Sequence, residues 1–335
     1  MLDQFLASEI IYPGVQITLK YNNSNSSSYP RYNGFLKTVR QAAADWFAAK
    51  GYKTDLKKRF VLDNRDEWTQ NIIHPEVSPY ILQRATNQRQ GKNNFALHKD
   101  LHHGLSSQVM LFNLVGPLLV EGDLAPLQNL LAKKGIEWPG ESACSDLEYT
   151  DRNVFHEWQG QPTSIDLVIK SRDGAPKLFI EAKFIETEFG GCSVHQRGDC
   201  DGRNPACNLS LCYLHHIGRQ YWVLMQKYGL DHGKVGDDTL CILAPHYQFF
   251  RELLFALEMG GSFVLLSDER SPVFYCDGPQ GQRGLMPLLL GLLPEELRKN
   301  VAAISIQELV AEIQLSGRHE WIDEFCLKYG LAPLV

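Results

Sequence analysis

Three charged residues lie in two neighbouring apolar segments of the sequence, and their types suit metal-assisted hydrolysis. Asp166 lies in SIDLVIK, and Glu181 and Lys183 lie in KLFIEAKF. Two carboxylates held close together repel each other unless a divalent cation neutralises them, and oxygen ligands suit Mg²⁺ or Mn²⁺. Such a cation lowers the pKa of a bound water, and a nearby lysine can hold that water or stabilise developing charge. We therefore expect a metal-dependent hydrolytic site at Asp166, Glu181 and Lys183.

The two segments alternate like β-strands, which predicts where the charged side chains lie. Successive side chains of a strand point to opposite faces of the sheet. In SIDLVIK this gives one apolar face, formed by Ile165, Leu167 and Ile169. Asp166 lies on the other face, and Glu181 and Lys183 share one face of KLFIEAKF. If the strands pair as a hairpin, the three charged side chains approach one another. The alternative is that they are solvent-facing charges of amphipathic strands.

The elements predicted around these strands give a mixed central sheet flanked by helices, of class α/β (α+β). Helices are expected in FLKTVRQAAADWFAAKG, from Ser106 or Ser107 onward, and in LAPLQNLLAKKG. The strands VFHEW, SIDLVIKS and KLFIEAKF then form a meander. A long helix in LSLCYLHHIGRQYWVLMQKYG and a buried strand in TLCILAP complete the order helix, three strands, helix, strand. Towards the C-terminus, GSFVLLSD is a strand candidate, and IQELVAEI and EWIDEFCLKYG are helix candidates.

The stretches TSIDLVIK and LFIEAKF resemble motifs II and III of the PD-(D/E)XK nuclease superfamily, a restriction-endonuclease-like group. The resemblance covers roughly residues 100–245, where the predicted order of elements is similar to the family's core. It implies that Asp166 and Glu181 bind Mg²⁺ or Mn²⁺. It also implies that Lys183 assists the attacking water in the hydrolysis of DNA phosphodiester bonds. One departure is Ile165, which stands where the family name has proline.

The resemblance also suggests further site residues, because family members often add an acid from a preceding helix or strand. Glu157 in VFHEW is the nearest candidate, with an exposed strand charge as the alternative. Gln108 and Glu121 are weaker candidates near the preceding helix. Gln220 and Tyr221, on the predicted helix after the sheet, could contact nucleic acid, although ordinary helix surface is the favoured interpretation.

Four of the eight cysteines crowd into a polar, glycine-rich stretch shortly after Lys183: Cys192, Cys200, Cys207 and Cys212. Four thiolates suit a structural Zn²⁺ or an iron–sulfur cluster, and a metal would order a loop that is too polar to fold by burial. The lack of a C-x2-C pair counts against a metal, so free or paired thiols are the alternative. With no recognisable export signal, a disulfide framework is not expected.

The composition is that of a folded globular protein, with 44% hydrophobic and 21% charged residues. The net charge of −6 argues against a protein that coats nucleic acid through bulk positive charge, but a local basic groove can coexist with it. It motivates a competing hypothesis: a catalytically inactive nuclease-like fold that binds nucleic acid or protein. No apolar run is long enough to span a membrane. We expect a cytoplasmic protein whose partner is DNA, and a homodimer would suit the cutting of two strands.

The sequence suggests three parts that need not be independent domains. Residues 1–99 form an N-terminal extension of helices and loops, which includes a polar low-complexity loop at residues 21–30. Residues 100–250 form the nuclease-like core, with a cysteine-rich insertion at residues 190–212. Residues 251–335 form a C-terminal α/β extension that packs on the core.

Overall fold

The structure of the chain is a computed structural model that describes residues 10–12, 15–17, 30–90, 95, 97–141, 143–278 and 281–332. Residue contacts divide the chain into two compact units, Met1–Pro30 and Arg31–Val335. In the first unit, Ile10–Tyr12 (β1) and Val15–Ile17 (β2) pair as a short antiparallel hairpin. The low-complexity loop predicted at residues 21–30 lies, except for its last residue, outside the described residues.

A mixed sheet of five strands organises the second unit. The described strands after β2 are Cys144–Thr150 (β3), Ser164–Lys170 (β4), Pro176–Lys183 (β5), Ser262–Ser267 (β6), Cys276–Gly278 (β7), Gly281–Arg283 (β8) and Val301–Ser305 (β9). The spatial order in the sheet is β3-β4-β5-β6-β9. Strands β3, β4 and β5 pair antiparallel, whereas β5, β6 and β9 pair parallel. Strands β7 and β8 form a hairpin of their own.

Helices surround this sheet, as the sequence predicts, and the predicted fold class is confirmed. The α-helices among the described residues are Pro30–Ala49 (α1), Val77–Gln90 (α2), Ser107–Leu114 (α3), Gly116–Glu121 (α4), Ala125–Lys133 (α5), Arg152–Phe155 (α6), Ser193–Gln196 (α7), Tyr213–His216 (α8), Tyr221–Lys227 (α9), Gly233–Gly236 (α10), Leu243–Glu258 (α11), Leu285–Leu292 (α12), Glu295–Arg298 (α13), Ile306–Ser316 (α14) and Trp321–Tyr329 (α15). Two 3₁₀ helices span Arg65–Asn71 and Leu209–Leu211. Helix α3 begins where the sequence predicts it, and the Ser106 side chain caps it by accepting a hydrogen bond from the Val109 amide.

Among the described residues, no single helix is long and apolar enough to cross a membrane. Two consecutive segments, Ser107–Glu121 and Ala125–Lys133, reach that length and apolar composition only when they are taken together. The chain bends by 116° between them.

Apolar side chains cover both faces of the sheet. On one face, Leu167 and Ile180 belong to a buried cluster with side chains of α1, α3, α5 and α14. On the other face, Val168 and Phe179 belong to a second cluster with side chains of α9 and α11. Strands that are covered on both faces have nearly continuous apolar sequences, as β6 does. The charged residues of β4 and β5 are therefore not the outer face of an amphipathic sheet.

The first strand of the meander is not where the sequence placed it, so the VFHEW prediction is wrong. The first two residues of VFHEW are the last two of α6. The Asp151 side chain caps this helix by accepting a hydrogen bond from the Asn153 amide, and His156 ends it in the left-handed region at φ 56°. This local capping outweighs the strand pattern of the short apolar run. Strand β3 takes the first position in the meander instead.

Two further predictions near α11 are wrong. TLCILAP is not a strand, because α11 begins at Leu243, and Pro245 in its first turn needs no amide donor. A short apolar run cannot be told from a buried helix by periodicity alone. The predicted long helix from Leu209 is broken into a 3₁₀ turn, α8 and α9, with Gly218 between the last two at φ 85°. The strand that follows the helix in the sheet is β6.

Strands β6 and β9 lie in the part of the sequence assigned to the C-terminal extension, yet they pair with the core strand β5 and with each other. Residues 251–335 therefore contribute directly to the central sheet. The division of the chain near residues 99 and 250 stays a prediction.

Candidate active site

Three neighbouring strands bring charged side chains to one cleft. Glu148 comes from β3, Asp166 from β4, and Glu181 and Lys183 from the end of β5. All four line a cleft with a volume of about 1180 Å³. The three residues predicted from the sequence are thus brought together, and a third carboxylate, which the sequence did not single out, joins them.

An irregular stretch of backbone places Glu148 beside Asp166. The register pairs Leu147 with Leu167 and Tyr149 with Ile165, so Glu148 stands opposite Asp166. Glu148 has φ 50°, a left-handed conformation that is uncommon for a residue other than glycine and is often found at functional sites.

The same irregularity corrects the predicted face of Ile165. Leu147 and Leu167 belong to the first apolar cluster, whereas Ile165 is buried in the second and Tyr149 packs against it. The strict alternation assumed for SIDLVIK therefore fails at its beginning. It holds for the rest of the segment, where Leu167 and Ile169 share the first cluster.

Asp166 is the acid at the centre of the cleft. Its Oδ2 atom accepts a hydrogen bond of 2.9 Å from the Ala182 amide, which fixes the carboxylate against β5. Burial raises the pKa of Asp166 well above its usual value, and the negative charges of Glu181 and Glu148 raise it further. Lys183 and the Ala182 amide act in the opposite direction without cancelling this effect. The clustered carboxylates therefore favour any cation that enters.

A hydrogen-bonded network ties Lys183 to the acids around it. Its Nζ atom donates to Glu181 Oε1 at 2.8 Å and to Gln248 Oε1 at 3.0 Å. Gln248, on α11, also donates its amide to Glu181 Oε1 and to Glu252 Oε1, each at 2.7 Å. Burial alone would lower the pKa of Lys183, but the charges of Glu181 and Glu252 outweigh it, and the net pKa is raised. Lys183 thus stays protonated and acts as a donor.

Glu148 is held by two polar neighbours. Ser164 Oγ donates to Glu148 Oε2 at 2.8 Å, and the Gln108 side-chain amide donates to Glu148 Oε1. Burial, with a smaller contribution from the charge of Glu181, raises the pKa of Glu148 to about 7. Gln108 lies in the first turn of α3, so this contact joins the helix before the sheet to the acids, in the place where the sequence suggested Gln108 as a weaker candidate.

Glu157, the predicted further acid, has another role. It is 2% exposed and is not among the described residues that line the cleft. Its carboxylate accepts hydrogen bonds from the Thr163 amide at 2.6 Å, the Thr163 hydroxyl at 2.9 Å and the Tyr221 hydroxyl at 2.6 Å. These contacts make Glu157 a buried hydrogen-bond acceptor, and Glu148, not Glu157, is the glutamate that lies beside Asp166 in the cleft.

The other weaker candidates also lie elsewhere. A hydrogen bond of 2.6 Å joins Glu121 Oε2 to Nδ1 of the His319 ring. Tyr221 is buried against Glu157, and Gln220 donates to the Gly218 carbonyl. None of the three is among the described residues that line the cleft.

Four residues of the site's surroundings were missed from the sequence: Glu148, Gln248, Arg251 and Glu252. Glu148 was missed because the strand was placed at VFHEW rather than at CSDLEYT, although Leu147 and Tyr149 alternate around it. The other three were missed because the start of α11 was interpreted as a strand. Their spacing along HYQFFRELLFALE places them on consecutive turns of one helix, which is the signal that could have found them.

Arg251 gives the cleft a positive side chain on the α11 side. It lines the cleft and lies over the Tyr247 ring at 4.9 Å from the ring centre. Within the described part of the chain, its Nε atom is buried without a hydrogen-bond partner, as is Glu252 Oε2.

The donor set of the cleft fits a hard divalent cation. Its available ligands are carboxylate oxygens, the type that Mg²⁺ and Mn²⁺ prefer, and burial together with the neighbouring carboxylates raises the pKa values of Asp166 and Glu148. As the side chains stand, the described residues contain no group of three His, Cys, Asp or Glu arranged to hold a metal ion. Because carboxylates repel one another, a bound cation would have to draw them together by rotamer changes.

The structure brings three of the four predicted cysteines together. Cys192, Cys200 and Cys212 line a small cavity, and Cys241, just before α11, lines it as well. Cys207 is exposed and is not among the described residues around that cavity. Burial raises the pKa of Cys212, and that of Cys241 to about 12, with neighbouring cysteines adding to both shifts.

Comparison with known protein families gives one match. Residues 40–330 match the model of a family described as restriction endonuclease associating with ARP, and this range includes the whole cleft apart from Tyr32. No curated protein and no solved structure matches the chain.

Proposed function

This chain belongs to the family of restriction endonucleases associating with ARP, and we propose that it is a metal-dependent nuclease of the PD-(D/E)XK type that hydrolyses DNA phosphodiester bonds. The observation that carries this proposal is the meeting of Glu148, Asp166, Glu181 and Lys183 in one cleft from three adjacent strands. Three acids and a protonated lysine in this arrangement suit the hydrolysis of a phosphate ester.

Asp166 and Glu181 would hold Mg²⁺ or Mn²⁺, with Glu148 as a third oxygen ligand. The bound ion supplies charge neutralisation on the phosphate and a water of lowered pKa. Asp166 is already oriented by the Ala182 amide, and Glu148 by Ser164 and Gln108. These neighbouring donors give Asp166 and Glu148 defined starting positions, from which a bound cation would draw them together.

Lys183 would hold the attacking water or the developing negative charge on the phosphate. Its raised pKa keeps the ammonium group charged at neutral pH, so it donates hydrogen bonds and does not serve as a base. Gln248 bridges Lys183, Glu181 and Glu252 and is a positioning residue for this pair.

Arg251 and Lys99 would bind the DNA backbone beside the acids. Both line the cleft, and Arg251 has an unpaired Nε atom within the described residues. Phosphate contacts of this kind position a substrate without reading its sequence. A local pair of cations is compatible with the net charge of −6, because only the cleft has to attract DNA.

The test is a cleavage assay on supercoiled and linear DNA with Mg²⁺, using the purified full chain. Wild-type protein should cut, Asp166→Asn should show no cutting above background, and Lys183→Met should be slower by about 10²- to 10³-fold. Asp173→Asn is the matched control, because Asp173 is an exposed acid in the turn between β4 and β5. Equal rates for wild type and Asp166→Asn would contradict the proposal. Tight DNA binding without cutting would favour the inactive binding module instead.

A further inference from the structure

Four cysteines from three separate segments meet around one small cavity next to the first turn of α11. Cys192 and Cys200 flank α7, Cys212 immediately precedes α8, and Cys241 lies two residues before α11. All four line a cavity of about 20 Å³, together with mainly apolar neighbours such as Trp222 and Leu243. We propose that Cys192, Cys200, Cys212 and Cys241 form a tetrathiolate metal centre, with Cys241 in the place that the sequence pattern gave to Cys207.

The size and surroundings of the cavity suit such a centre. A volume of this order holds one body the size of a water molecule, and the cavity is walled by thiols, apolar side chains and the ring of His195, whose Nδ1 lies 3.1 Å from the Cys200 carbonyl oxygen. Four cysteine thiolates select Zn²⁺ or an iron–sulfur cluster, and both use the same ligand set. A single ion would require the four side chains to rotate inward, and a cluster would require the walls to move apart. Each thiol releases its proton to solvent as it binds.

One backbone amide already faces a sulfur of this group. The Gly202 amide donates to Cys200 Sγ at 3.4 Å. Amide donors around a sulfur favour its thiolate form, which is the form that binds metal. Cys200 therefore has one neighbour of the kind expected around a metal ligand.

The centre would connect chain segments that few strand pairings join. Between β5 and α11 the described chain contains only helices of three to seven residues, and one isolated bridge, Arg203 with Leu240, joins its two halves. Two backbone hydrogen bonds connect the cysteine segments directly: Cys241 to the Gly202 carbonyl at 2.7 Å and Cys192 to the Ala244 carbonyl at 2.9 Å. A tetrathiolate centre would lock these segments together and add folding free energy to that of the buried side chains in the same region, such as Trp222 and Met225.

The centre would also fix the helix that supports the active site. Ala244 lines the cysteine cavity, and Gln248, one turn further along α11, contacts Glu181 and Lys183. On the other side, Gly190 lines the catalytic cleft two residues before Cys192, and its carbonyl accepts a hydrogen bond from the Gln248 amide. The centre is therefore a structural anchor for Gln248 and is separate from the proposed Mg²⁺ site.

The experiment measures metal in the full chain purified without air, together with acid-labile sulfide and the visible spectrum. Zinc without visible absorbance identifies a single ion, and iron with sulfide and visible absorbance identifies a cluster; either supports the proposal if Cys192→Ser and Cys241→Ser lose the metal and Cys207→Ser keeps it. Wild-type protein with neither metal would overturn it. So would a Cys207→Ser variant that loses the metal while Cys241→Ser retains it.

Should the serine variants fail to fold, alkylation of wild-type cysteines followed by mass spectrometry gives the same answer. Cys207 should react in the folded protein, whereas the four cavity cysteines should become reactive only after a chelator removes the metal, or after an oxidant removes it and a thiol reductant restores the free thiols. Reaction of the four cavity cysteines at the same rate with and without that treatment would overturn the proposal. Neither readout depends on nuclease activity, so a failure here is distinguishable from a failure of the proposed function.

Discussion

The Nζ atom of Lys183 lies 2.8 Å from Oε1 of Glu181, and the two side chains are only 8% and 5% exposed. They are two residues apart on β5, so the strand alone places them on the same face. Gln248 hydrogen-bonds both partners, which leaves the pair little freedom to separate. The candidate site is therefore organised around a buried ion pair beside two further acids.

Removal of the lysine should destabilise the protein in the absence of metal. In Lys183→Met, Glu181 loses its cation while Glu148 and Asp166 remain nearby, so we expect a loss of about 3 kcal/mol in the free energy of unfolding. Lys177→Met is the control on the same strand and should change the value by less than about 0.5 kcal/mol. Urea denaturation in the presence of a chelator measures both, and equal stabilities for the two variants would contradict a buried ion pair at this position.

Mutations of Glu148, which lines the cleft, and of Glu157, which lies outside it, should have different effects. Glu148→Gln should weaken Mg²⁺ binding by at least about 10-fold, because the residue lines the cleft beside Asp166. Glu157→Gln should leave Mg²⁺ binding unchanged but cost about 1 to 3 kcal/mol of stability, since the amide cannot accept all the hydrogen bonds from Thr163 and Tyr221. Calorimetric titration with Mg²⁺ and denaturation curves compare them. The reverse pattern would show that Glu157 is the ligand.

The metal-free protein should lose stability as pH rises towards neutrality. The pKa of Glu148 is about 7 in the folded protein, above its ordinary value of 4.5, so the folded state binds this proton more tightly than the unfolded state. The stabilising effect is complete below pH 4.5 and is lost as pH rises through about 7, with a magnitude of up to about 3 kcal/mol. The pKa of Asp166 is also raised in the folded protein, so its protonation affects stability in the same direction.

The measurement for this prediction is the difference in unfolding free energy between wild type and Glu148→Gln, followed across this pH range in a chelator. The unfolding free energy of wild type should fall relative to that of Glu148→Gln as pH rises. Mg²⁺ should restore the stability of wild type most at the higher pH. A difference that does not vary with pH would show that Glu148 titrates normally.

Gln248 should act on the reaction through its neighbours. Gln248→Met removes the amide that bridges Glu181, Glu252 and Lys183, and we expect a 10- to 100-fold loss in rate together with a higher Mg²⁺ requirement. Gln226→Met, on the exposed part of α9, is the control. A variant that is slower but has an unchanged Mg²⁺ requirement would mean that Gln248 does not position the acids.

The sequence was informative where local pattern and burial agree. Strand β5 and the later part of β4 follow their apolar alternation, and the clear periodicity of α1, α14 and α15 gives their positions closely. The sequence was misleading where tertiary contacts determine the local structure. Glu148 depends on a left-handed residue in β3, and Gln248 depends on a helix whose first turn looks like a strand. Cys241 joins the other cysteines only through folding, because 28 residues separate it from Cys212.

The most direct test of the proposed site is a crystal structure of the full chain with Mn²⁺, located by its anomalous scattering. We expect one ion in the cleft, bound by Asp166 and Glu181 with Glu148 turned towards it, and Lys183 within hydrogen-bond distance of a water on that ion. The Asp166→Asn crystal should lack the ion. An ion bound away from these residues, or a wild-type cleft that stays empty at saturating Mn²⁺, would contradict the assignment.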